Sequence, residues 1–293
     1  MVQRVGVVGV GVMGAAMSRH LLAAGYEIHG YDVDEEKTAA LAEMGGVAEP
    51  SGAAVAAASE VVLFSLPSVA ALEAATADVA AGAHEGLIAA EMGVFPIEDK
   101  QRAFDALAAV GVELMDVAVS GTGLQAADAT LVVMASGTQE AFDKTKDIFD
   151  VVGRATYYLG AFPNGSIMKY IANLLVAIHN LSTAEAHALG IAAGMDPAVV
   201  QQVIGDGVGS SRIFEIRGPM MVADTYEPPS ARLTIIKKDA TIIQAFARSV
   251  GAPTPLLDTA LPIYQASADA GLGDLDAAAL CRYLEQIAHL QRP

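Results

Sequence analysis

Several residue types are scarce in this 293-residue sequence, and each scarcity excludes a class of protein. A single cysteine, Cys281, allows neither an intramolecular disulfide nor a thiolate metal cluster, so a reducing, cytoplasmic location is expected. Only 17 residues are lysine or arginine and the net charge is −17, whereas nucleic-acid binders need clustered basic side chains. The sequence has no uninterrupted run of about 20 apolar residues, so no membrane span is predicted. Neither a nucleic acid nor a membrane is therefore expected as a partner.

Small apolar residues are abundant instead. Hydrophobic residues make up 53% of the chain and aromatic residues only 5%, so the interior should be built from closely packed small side chains. The length suits roughly two domains of about 150 residues each. An apolar run from Arg4 to Met17 resembles a secretory signal, but its four glycines would make a poor signal helix. We interpret this run as a strand, a turn and a helix.

Strand and helix patterns alternate through the first half of the chain. The strand candidates are residues 5–10, 27–31, 61–66, 87–90, 113–117 and 131–135. This alternation predicts an α/β domain with a Rossmann-type, doubly wound and mostly parallel sheet. Residues 167–193 form a long helical pattern and no convincing strand follows, so the C-terminal domain should be all-helical. A turn cluster at residues 162–165 places the boundary between residues 1–162 and residues 163–293.

A glycine-rich turn follows the first predicted strand. Gly9 permits a tight turn, Gly11 lets the backbone approach a pyrophosphate, and Gly14 lets helix and strand pack closely. The N-terminus of the helix then supplies N–H donors to the anion. Asp32 ends the next strand, where a carboxylate accepts hydrogen bonds from the adenosine ribose and repels a 2′-phosphate. The alternative is an aspartate that only ends a strand in a turn. We predict NAD as the cofactor, in preference to NADP.

Lys169 and Asn173 stand one helical turn apart in the long helix, so an ammonium donor and an amide face the same way. Such a pair could transfer a proton to a bound substrate and orient it. The same spacing also occurs on solvated helices that have no catalytic role. The pair alone leaves both interpretations open.

Four motifs in the same order resemble those of the β-hydroxyacid dehydrogenase family, which includes 3-hydroxyisobutyrate dehydrogenase and tartronate semialdehyde reductase. The motifs are GVGVMGAAM at residues 9–17, DVAVSG at residues 116–121, GSIMK at residues 165–169 with Asn173, and the pair Lys238 and Asp239. The resemblance extends over essentially the whole chain. Four motifs in one order are far more specific than any one of them.

The resemblance implies an oxidoreductase that transfers a hydride between NAD and a small hydroxy acid or the matching aldehyde or keto acid. It implies Lys169 as general acid/base and Asn173 as the residue that holds the substrate oxygen. Ser120 and the backbone at Gly121 would receive a carboxylate of this small anionic substrate, and Lys238 would border both ligands. Taken alone, Ser120 would be a turn serine and Lys238 a solvated lysine. The implied cofactor contacts are Gly9, Gly11, Val12, Met13, Gly14, Asp32, Leu66, Pro67 and Lys238.

A lysine that acts as a base near neutral pH needs its pKa lowered from about 10.4, by burial or by a cationic neighbour. Lys238 is the candidate neighbour for Lys169. This expectation follows from the role that the resemblance implies.

Two substrate-side positions depart from the family pattern. Thr122 stands where the family usually has the second glycine of Ser-Gly-Gly. Ala231 stands where a phenylalanine is common, if the register holds back from Lys238. We expect Thr122 and Ala231 to reshape the substrate pocket.

Other ionisable side chains give weaker signals. Arg212 lies in a basic stretch of an otherwise acidic chain and is a candidate to grip a distal anionic group of the substrate. Charge pairing with Glu215 is the competing interpretation. His179 and His187 lack a third spaced ligand, so no metal is expected.

The helical pattern at residues 167–193 also bears on assembly. It is too long and too apolar to be covered by the roughly 100 residues that follow it, and burial against another subunit would remove its apolar face from water. A homodimer or homotetramer is therefore expected.

Three hypotheses follow for function. The first is an NAD-dependent dehydrogenase or reductase of a small hydroxy acid. The second is an imine reductase-like enzyme, although imine reductases typically lack the lysine at the position of Lys169. The third is a non-catalytic NAD-binding protein, which would have no use for a proton donor beside the nicotinamide.

We predict that kcat/KM is at least about tenfold higher with NAD than with NADP, a ratio that corresponds to about 1.4 kcal/mol. The reason is repulsion between the Asp32 carboxylate and a 2′-phosphate, together with the absence of a basic residue at position 33. Steady-state kinetics with both cofactors and one substrate measure the ratio. Equal or higher activity with NADP would contradict the prediction.

Overall fold

The computed structural model describes residues 3–292 of the chain. The chain divides into two compact units, Met1–Lys169 and Tyr170–Pro293. This division falls inside the long helix Asn164–Ala192. The domain boundary predicted from the sequence, between residues 162 and 163, lies just before the same helix. The assignment of separate functions to the two domains stays a prediction.

The first unit contains one eight-stranded sheet with the order β3-β2-β1-β4-β5-β6-β7-β8. The strands are β1 (Arg4–Val8), β2 (Glu27–Tyr31), β3 (Val47–Ala48), β4 (Val61–Phe64), β5 (Ile88–Glu91), β6 (Glu113–Ser120), β7 (Leu131–Ser136) and β8 (Gly153–Tyr158). Neighbouring strands are parallel except β6 and β7, which are antiparallel. The strand order reverses between β1 and β4, and open α/β sheets bind ligands at such a reversal, beyond the carboxyl ends of the strands.

Eight helices begin in this unit, and the last of them continues into the second unit. They are α1 (Val12–Ala23), α2 (Glu35–Glu43), α3 (Gly52–Ala58), α4 (Val69–Ala81), α5 (Ile97–Ala108), α6 (Gly123–Ala127), α7 (Gln139–Val152) and α8 (Asn164–Ala192). Short polar residues cap α2, α3, α4, α6 and α7, where side-chain oxygens of Asp34, Ser51, Ser68, Thr122 and Thr138 accept backbone N–H groups. Each such cap contributes about 1 kcal/mol.

Strand residues alternate between two apolar cores, one on each face of the sheet. Val61 and Leu63 of β4 pack into the core that α1 and α7 cover. Val62 and Phe64 of the same strand pack into the core that α3, α4 and α5 cover. Because both faces are buried, the central strands can be apolar throughout, which is why the sequence pattern predicted them.

The second unit is helical. Besides residues 170–192 of α8 it contains α9 (Pro197–Gly205), α10 (Arg212–Ala223), α11 (Leu233–Ser249), α12 (Pro255–Ser267), a π-helical turn (Ala268–Leu272), a 3-10 turn (Ala277–Ala279) and α13 (Leu280–Ile287). The buried Tyr264 holds two helices together, since its hydroxyl donates to the carbonyl oxygen of Ala177 at 3.1 Å. Asn180 Nδ2 donates to the Tyr264 hydroxyl and to the carbonyl oxygen of Ala277. These bonds tie α8, α12 and the 3-10 turn to one another.

The predicted fold class, a Rossmann-type sheet followed by a helical domain, is confirmed. Two strands were not predicted. β3 has only two residues, and β8 pairs with β7 alone and is not fully buried, so neither has a continuous apolar pattern. The long helix begins at Asn164, earlier than the predicted residue 167. Across the described residues, no helix is both long enough and apolar enough to cross a bilayer.

Candidate active site

The glycine turn between β1 and α1 has the shape that a dinucleotide needs. Gly9 has φ +93°, and a Cβ there would collide with the carbonyl oxygen of Ser65. A Cβ at Gly14 would collide with the carbonyl oxygen of Gly9, so this residue keeps α1 close to the turn. At Gly11, by contrast, a Cβ would meet no described heavy atom within 4 Å, which leaves open space beside the backbone. The space and backbone conformation at each glycine are compatible with the role predicted from the sequence, and the contacts to a cofactor stay a prediction.

The N-terminus of α1 is suited to an anion. Gly11 is its N-cap, and among the described residues no side chain caps the helix and no acidic residue lies in its first turn. The first N–H groups of a helix lack intrahelical partners and carry a partial positive charge, so they attract a phosphate. The open space at Gly11 and the uncapped helix end therefore fit the pyrophosphate of NAD.

Asp32 is placed by the same turn. Its Oδ2 accepts the Val10 N–H at 2.8 Å, and its Oδ1 accepts the Asp34 N–H at 3.0 Å. A carboxylate offers about four acceptor sites, so these bonds fix its orientation and leave capacity for ribose hydroxyls. Lys37 Nζ lies 3.6 Å from Asp32 Oδ1 and was not predicted. Leu66, a predicted cofactor contact, borders the turn, since a Cβ on Gly9 would lie 3.3 Å from its Cδ2.

The end of β6 meets the start of α1. A Cβ on Gly123 would lie 2.7 Å from Val12 Cγ1, so the segment that follows Ser120 packs against the glycine turn. Gly121 has φ +140°, a conformation that strongly favours glycine. Thr122 is extended at φ −107° and forms a capping box with Gln125, so threonine here begins α6 without backbone strain. The structure thus brings the predicted substrate segment to the predicted cofactor segment.

Lys169 and Asn173 lie one turn apart on α8, and each is less than 10% exposed. Asn173 Nδ2 donates to Asp239 Oδ2 at 2.9 Å within the second unit. Asp239 also contacts Lys238, whose Nζ lies 3.2 Å from Asp239 Oδ1. The third and fourth sequence motifs are therefore linked by a buried hydrogen bond that fixes the rotamer of the Asn173 amide.

The first turn of α8 is held by side chains from the sheet. Asp116 Oδ2 accepts the Ser166 N–H at 2.6 Å, and Asp116 Oδ1 accepts the Ser166 hydroxyl at 2.9 Å. Ser136 Oγ accepts the Gly165 N–H at 2.9 Å. The turn that leads into Lys169 is thereby bound to β6 and β7.

Comparison with known proteins agrees with this geometry. Residues 4–160 match the family of the NAD binding domain of 6-phosphogluconate dehydrogenase. Residues 163–284 match the family described as NAD-binding of NADP-dependent 3-hydroxyisobutyrate dehydrogenase. The chain belongs to the β-hydroxyacid dehydrogenase family.

Individual β-hydroxyacid dehydrogenases are similar over their whole length. An L-threonate dehydrogenase of Cupriavidus necator is 32% identical over 286 residues, which cover 96% of each chain. A crystal structure of 3-hydroxyisobutyrate dehydrogenase from Salmonella typhimurium has a TM-score of 0.87 at 30% identity and covers 96% of this chain and 99% of that chain. The 3-hydroxyisobutyrate dehydrogenase of Mycobacterium tuberculosis with L-serine has a TM-score of 0.88 at 25% identity, over 97% and 99% of the two chains. The chain is thus an NAD-dependent oxidoreductase of the β-hydroxyacid dehydrogenase family.

The predicted specificity residue Ala231 lies in a segment that a buried carboxylate holds. Asp276 Oδ2 accepts the N–H groups of Ser230 and Ala231 at 2.8 and 3.1 Å and the Ser230 hydroxyl at 2.6 Å. Arg217 Nε lies 3.3 Å from Asp276 Oδ1, and both side chains are buried. This carboxylate fixes the backbone just before α11, the helix that carries Lys238.

Five basic residues of the second unit, between residues 212 and 238, each have a partner there. The nitrogen atoms of Arg212, Arg217, Arg232, Lys237 and Lys238 contact Glu215, Asp276, Asp274, Gln265 and Asp239, respectively. Arg212 is highly exposed and bonds to Glu215 Oε2 at 2.8 Å, the competing interpretation of the sequence. A contact between Arg212 and substrate stays a prediction. No cluster of three potential metal-binding side chains was found among residues 3–292.

The structural roles of Glu91, Lys100 and Asp276 were not predicted from the sequence. Two of them left a signal in the sequence. Glu91 ends an otherwise apolar strand, and Lys100 shares the buried face of α5 with Ala103 and Leu107. A charged residue at an apolar position of a periodic pattern is the feature that would have identified them. Asp276 follows no such pattern.

We predict that Asp276→Asn lowers the free energy of unfolding at pH 7 by about 3–5 kcal/mol, because Arg217 is left buried without its counter-charge. Burial by itself raises the pKa of Asp276, but the Arg217 guanidinium and the hydrogen bonds from Ser230, Ala278 and Ala231 outweigh it, so the pKa lies below its usual value. The stabilisation is then complete above the unfolded-state pKa of about 3.9 and is lost as pH falls through the lower folded-state pKa.

Urea unfolding of the parent and of Asp276→Asn between pH 7 and pH 3 measures this difference. It should be constant down to about pH 5 and should shrink below about pH 4. Asp274→Asn is the matched control, since Asp274 is highly exposed and lies 3.9 Å from Arg232. A difference that grows in acid would contradict the assignment.

Proposed function

We propose that this enzyme interconverts a small hydroxy acid and the matching aldehyde or keto acid, with Lys169 as general acid/base. The observation that supports the proposal most is the buried pair Lys169 and Asn173 on one face of α8, in a chain whose first unit has the NAD-binding turn. NAD supplies the hydride acceptor or donor at its nicotinamide ring when it is bound. The residues of the chain supply binding, orientation and proton transfer.

The first unit would bind the cofactor. Gly9, Gly11 and Gly14, together with the N–H groups of Val12 and Met13, would hold the pyrophosphate at the N-terminus of α1. Asp32 would accept the ribose hydroxyls. Leu66 and Pro67 would line the cofactor on the β4 side of the turn, and Lys238 is the further cofactor contact that the family resemblance implies.

Lys169 would transfer the proton. In the oxidative direction its neutral amine takes the hydroxyl proton at Nζ as the hydride leaves carbon, and in the reductive direction its ammonium returns that proton to the carbonyl oxygen. The Asn173 amide nitrogen has two hydrogens, so one can bond to Asp239 and the other to the substrate oxygen. Burial of both side chains excludes water that would compete for these bonds.

The segment at the end of β6 would bind the substrate carboxylate. The Ser120 hydroxyl and the backbone at Gly121 would hold the substrate carboxylate. Thr122 and Ala231, where the family usually has glycine and phenylalanine, would set the size of the group beside it. Two of the similar enzymes are named for L-threonate and 3-hydroxyisobutyrate. These compounds define the proposed substrate class: a short acid with a hydroxyl that can be oxidised.

The apolar surface of the helical unit supports assembly of identical subunits. Ile171 and Leu175 lie one turn apart on α8 and are each about half exposed in the isolated chain. Val199 and Val203 repeat this spacing on α9 at 45% and 62% exposure. Rows of large apolar side chains at i and i+4 usually mark a contact surface. We infer a homodimer or a homotetramer.

We predict that Lys169→Ala lowers kcat by about 10²–10⁴-fold, the usual contribution of a positioned acid or base, while NAD binding changes little. Steady-state oxidation of a panel of small hydroxy acids and calorimetric titration with NAD provide the two measurements. Lys144→Ala is the control, because Lys144 is exposed on α7 and pairs with Glu140 on the surface. A kcat near the parent value would remove Lys169 from the chemistry and favour the imine reductase-like alternative.

We predict that light scattering at micromolar concentration gives at least twice the mass of one chain. Val203→Glu should shift the population toward the monomer, because it places a charge within the apolar row. A parent protein that is monomeric at this concentration would refute the assembly.

A further inference from the structure

Three polar residues form a row across the interior of the sheet. Glu91, Asp116 and Ser136 are register partners on β5, β6 and β7, and all three are fully buried. The residues two positions before Glu91 and Asp116, Ala89 and Leu114, belong to the apolar core on the same face. Burying two carboxylates among such neighbours is unfavourable unless each one is paired and hydrogen-bonded.

Lys100 supplies the pairing. It projects from the first turn of α5 and is itself fully buried, with Nζ 2.5 Å from Glu91 Oε2 and 2.7 Å from Asp116 Oδ1. Burial alone would lower the pKa of Lys100, but Asp116 and Glu91 together keep it above its usual value, so the ammonium is charged. Burial raises the pKa of Glu91 against the opposing effect of Lys100. One ammonium thus serves two carboxylates.

The first turn of α8 provides a second source of positive potential for the Asp116 carboxylate. The Asp116 carboxylate accepts both the N–H and the hydroxyl of Ser166, so it acts as a cap contributed by a distant strand. A negative charge is favourable at a helix N-terminus, where N–H groups lack partners. A Cβ on Gly165 would lie 2.5 Å from the Asp116 carbonyl oxygen, so this glycine allows the close approach.

Lys169 follows Ser166 by three residues on this helix, which corresponds to a rise of about 4.5 Å. A rigid helix transmits any shift or rotation of its first turn to the next one. We propose that Glu91, Lys100 and Asp116 are positioning residues that fix the first turn of α8 and thereby the direction of the Lys169 side chain. This inference rests on the proposed role of Lys169.

Stability alone does not explain the arrangement. Apolar residues of similar volume can stabilise a fold as well as a buried ion pair does, because the ions lose their hydration. An ion pair differs in being directional, since its charges hold one geometry of the helix against the strand. Misplacement of a catalytic group by about 1 Å can cost about 10²-fold in rate. Directional fixation of α8 should therefore affect kcat more than it affects the free energy of unfolding.

The test compares Asp116→Asn and Ser166→Ala with the control Thr145→Val. Thr145 is a buried residue of α7 whose hydroxyl donates to the Ala141 carbonyl at 2.8 Å, so its loss also removes a buried hydroxyl, but away from α8. We expect kcat to fall about 10- to 100-fold in Asp116→Asn and several-fold in Ser166→Ala, with NAD affinity unchanged. The Tm of Thr145→Val should fall by about the same amount as the Tm of Ser166→Ala, whereas the kcat of Thr145→Val should stay at the parent value.

The double variant Asp116→Asn/Ser166→Ala should lose no more kcat than Asp116→Asn alone, because both changes break the same contact. Equal kcat in Ser166→Ala and Thr145→Val at matched Tm loss would overturn the proposal. If Asp116→Asn does not fold, the comparison of Ser166→Ala with Thr145→Val decides the question.

Hydrogen exchange of the backbone amides at residues 166–170 separates this proposal from the proposed function. Faster exchange there in Ser166→Ala than in Thr145→Val supports the fixation of α8 whatever reaction the enzyme catalyses. Unchanged exchange overturns the fixation even if Lys169→Ala is inactive. Normal turnover in Lys169→Ala, together with faster exchange in Ser166→Ala, would reject the role of Lys169 and retain the cap.

Discussion

The shared ammonium of Lys100 is the interaction on which the position of α8 depends. It lies between Glu91 and Asp116 in a part of the sheet that is fully buried, where an unpaired carboxylate would be strongly unfavourable. Asp116 also caps the first turn of α8 through Ser166. One carboxylate therefore joins β6, α5 and α8, and the helix that carries Lys169 begins where this carboxylate holds it.

Carboxylates play the same part at the other functional segments. Asp32 accepts the Val10 N–H of the glycine turn, Asp239 accepts the Asn173 amide, and Asp276 accepts the backbone at Ser230 and Ala231. In each case a side chain on one element fixes a group on another that the proposed chemistry uses. Part of the acidic composition of this chain thus lies inside the protein as hydrogen-bond acceptors. Charge-assisted bonds of this kind are stronger and more directional than apolar contacts, which suits them to orientation.

Much of the fold could be predicted because its signals are local. Apolar segments of four to six residues marked the buried strands, and the proline-free pattern marked α8. The start of α8 was placed too late, since Asn164 and Gly165 resemble turn residues, yet Gly165 belongs to the helix because Ser136 accepts its N–H. β8 escaped prediction because an edge strand need not be apolar on both faces. At the site, the glycine turn and the Lys169–Asn173 pair were visible, whereas Lys100 was not identified.

The sequence by itself determined the short-range features: the glycine turn with Asp32, the one-turn spacing of Lys169 and Asn173, and the alternation that builds a doubly wound sheet. Each depends on residues that are close along the chain, so backbone geometry and side-chain period are sufficient to predict it. Only the tertiary structure decided that Asp239 orients Asn173 and that Lys100 meets two carboxylates. The contacts of Lys100 depend on strand register, since a shift of one residue would turn Glu91, Asp116 and Ser136 toward the opposite face of the sheet.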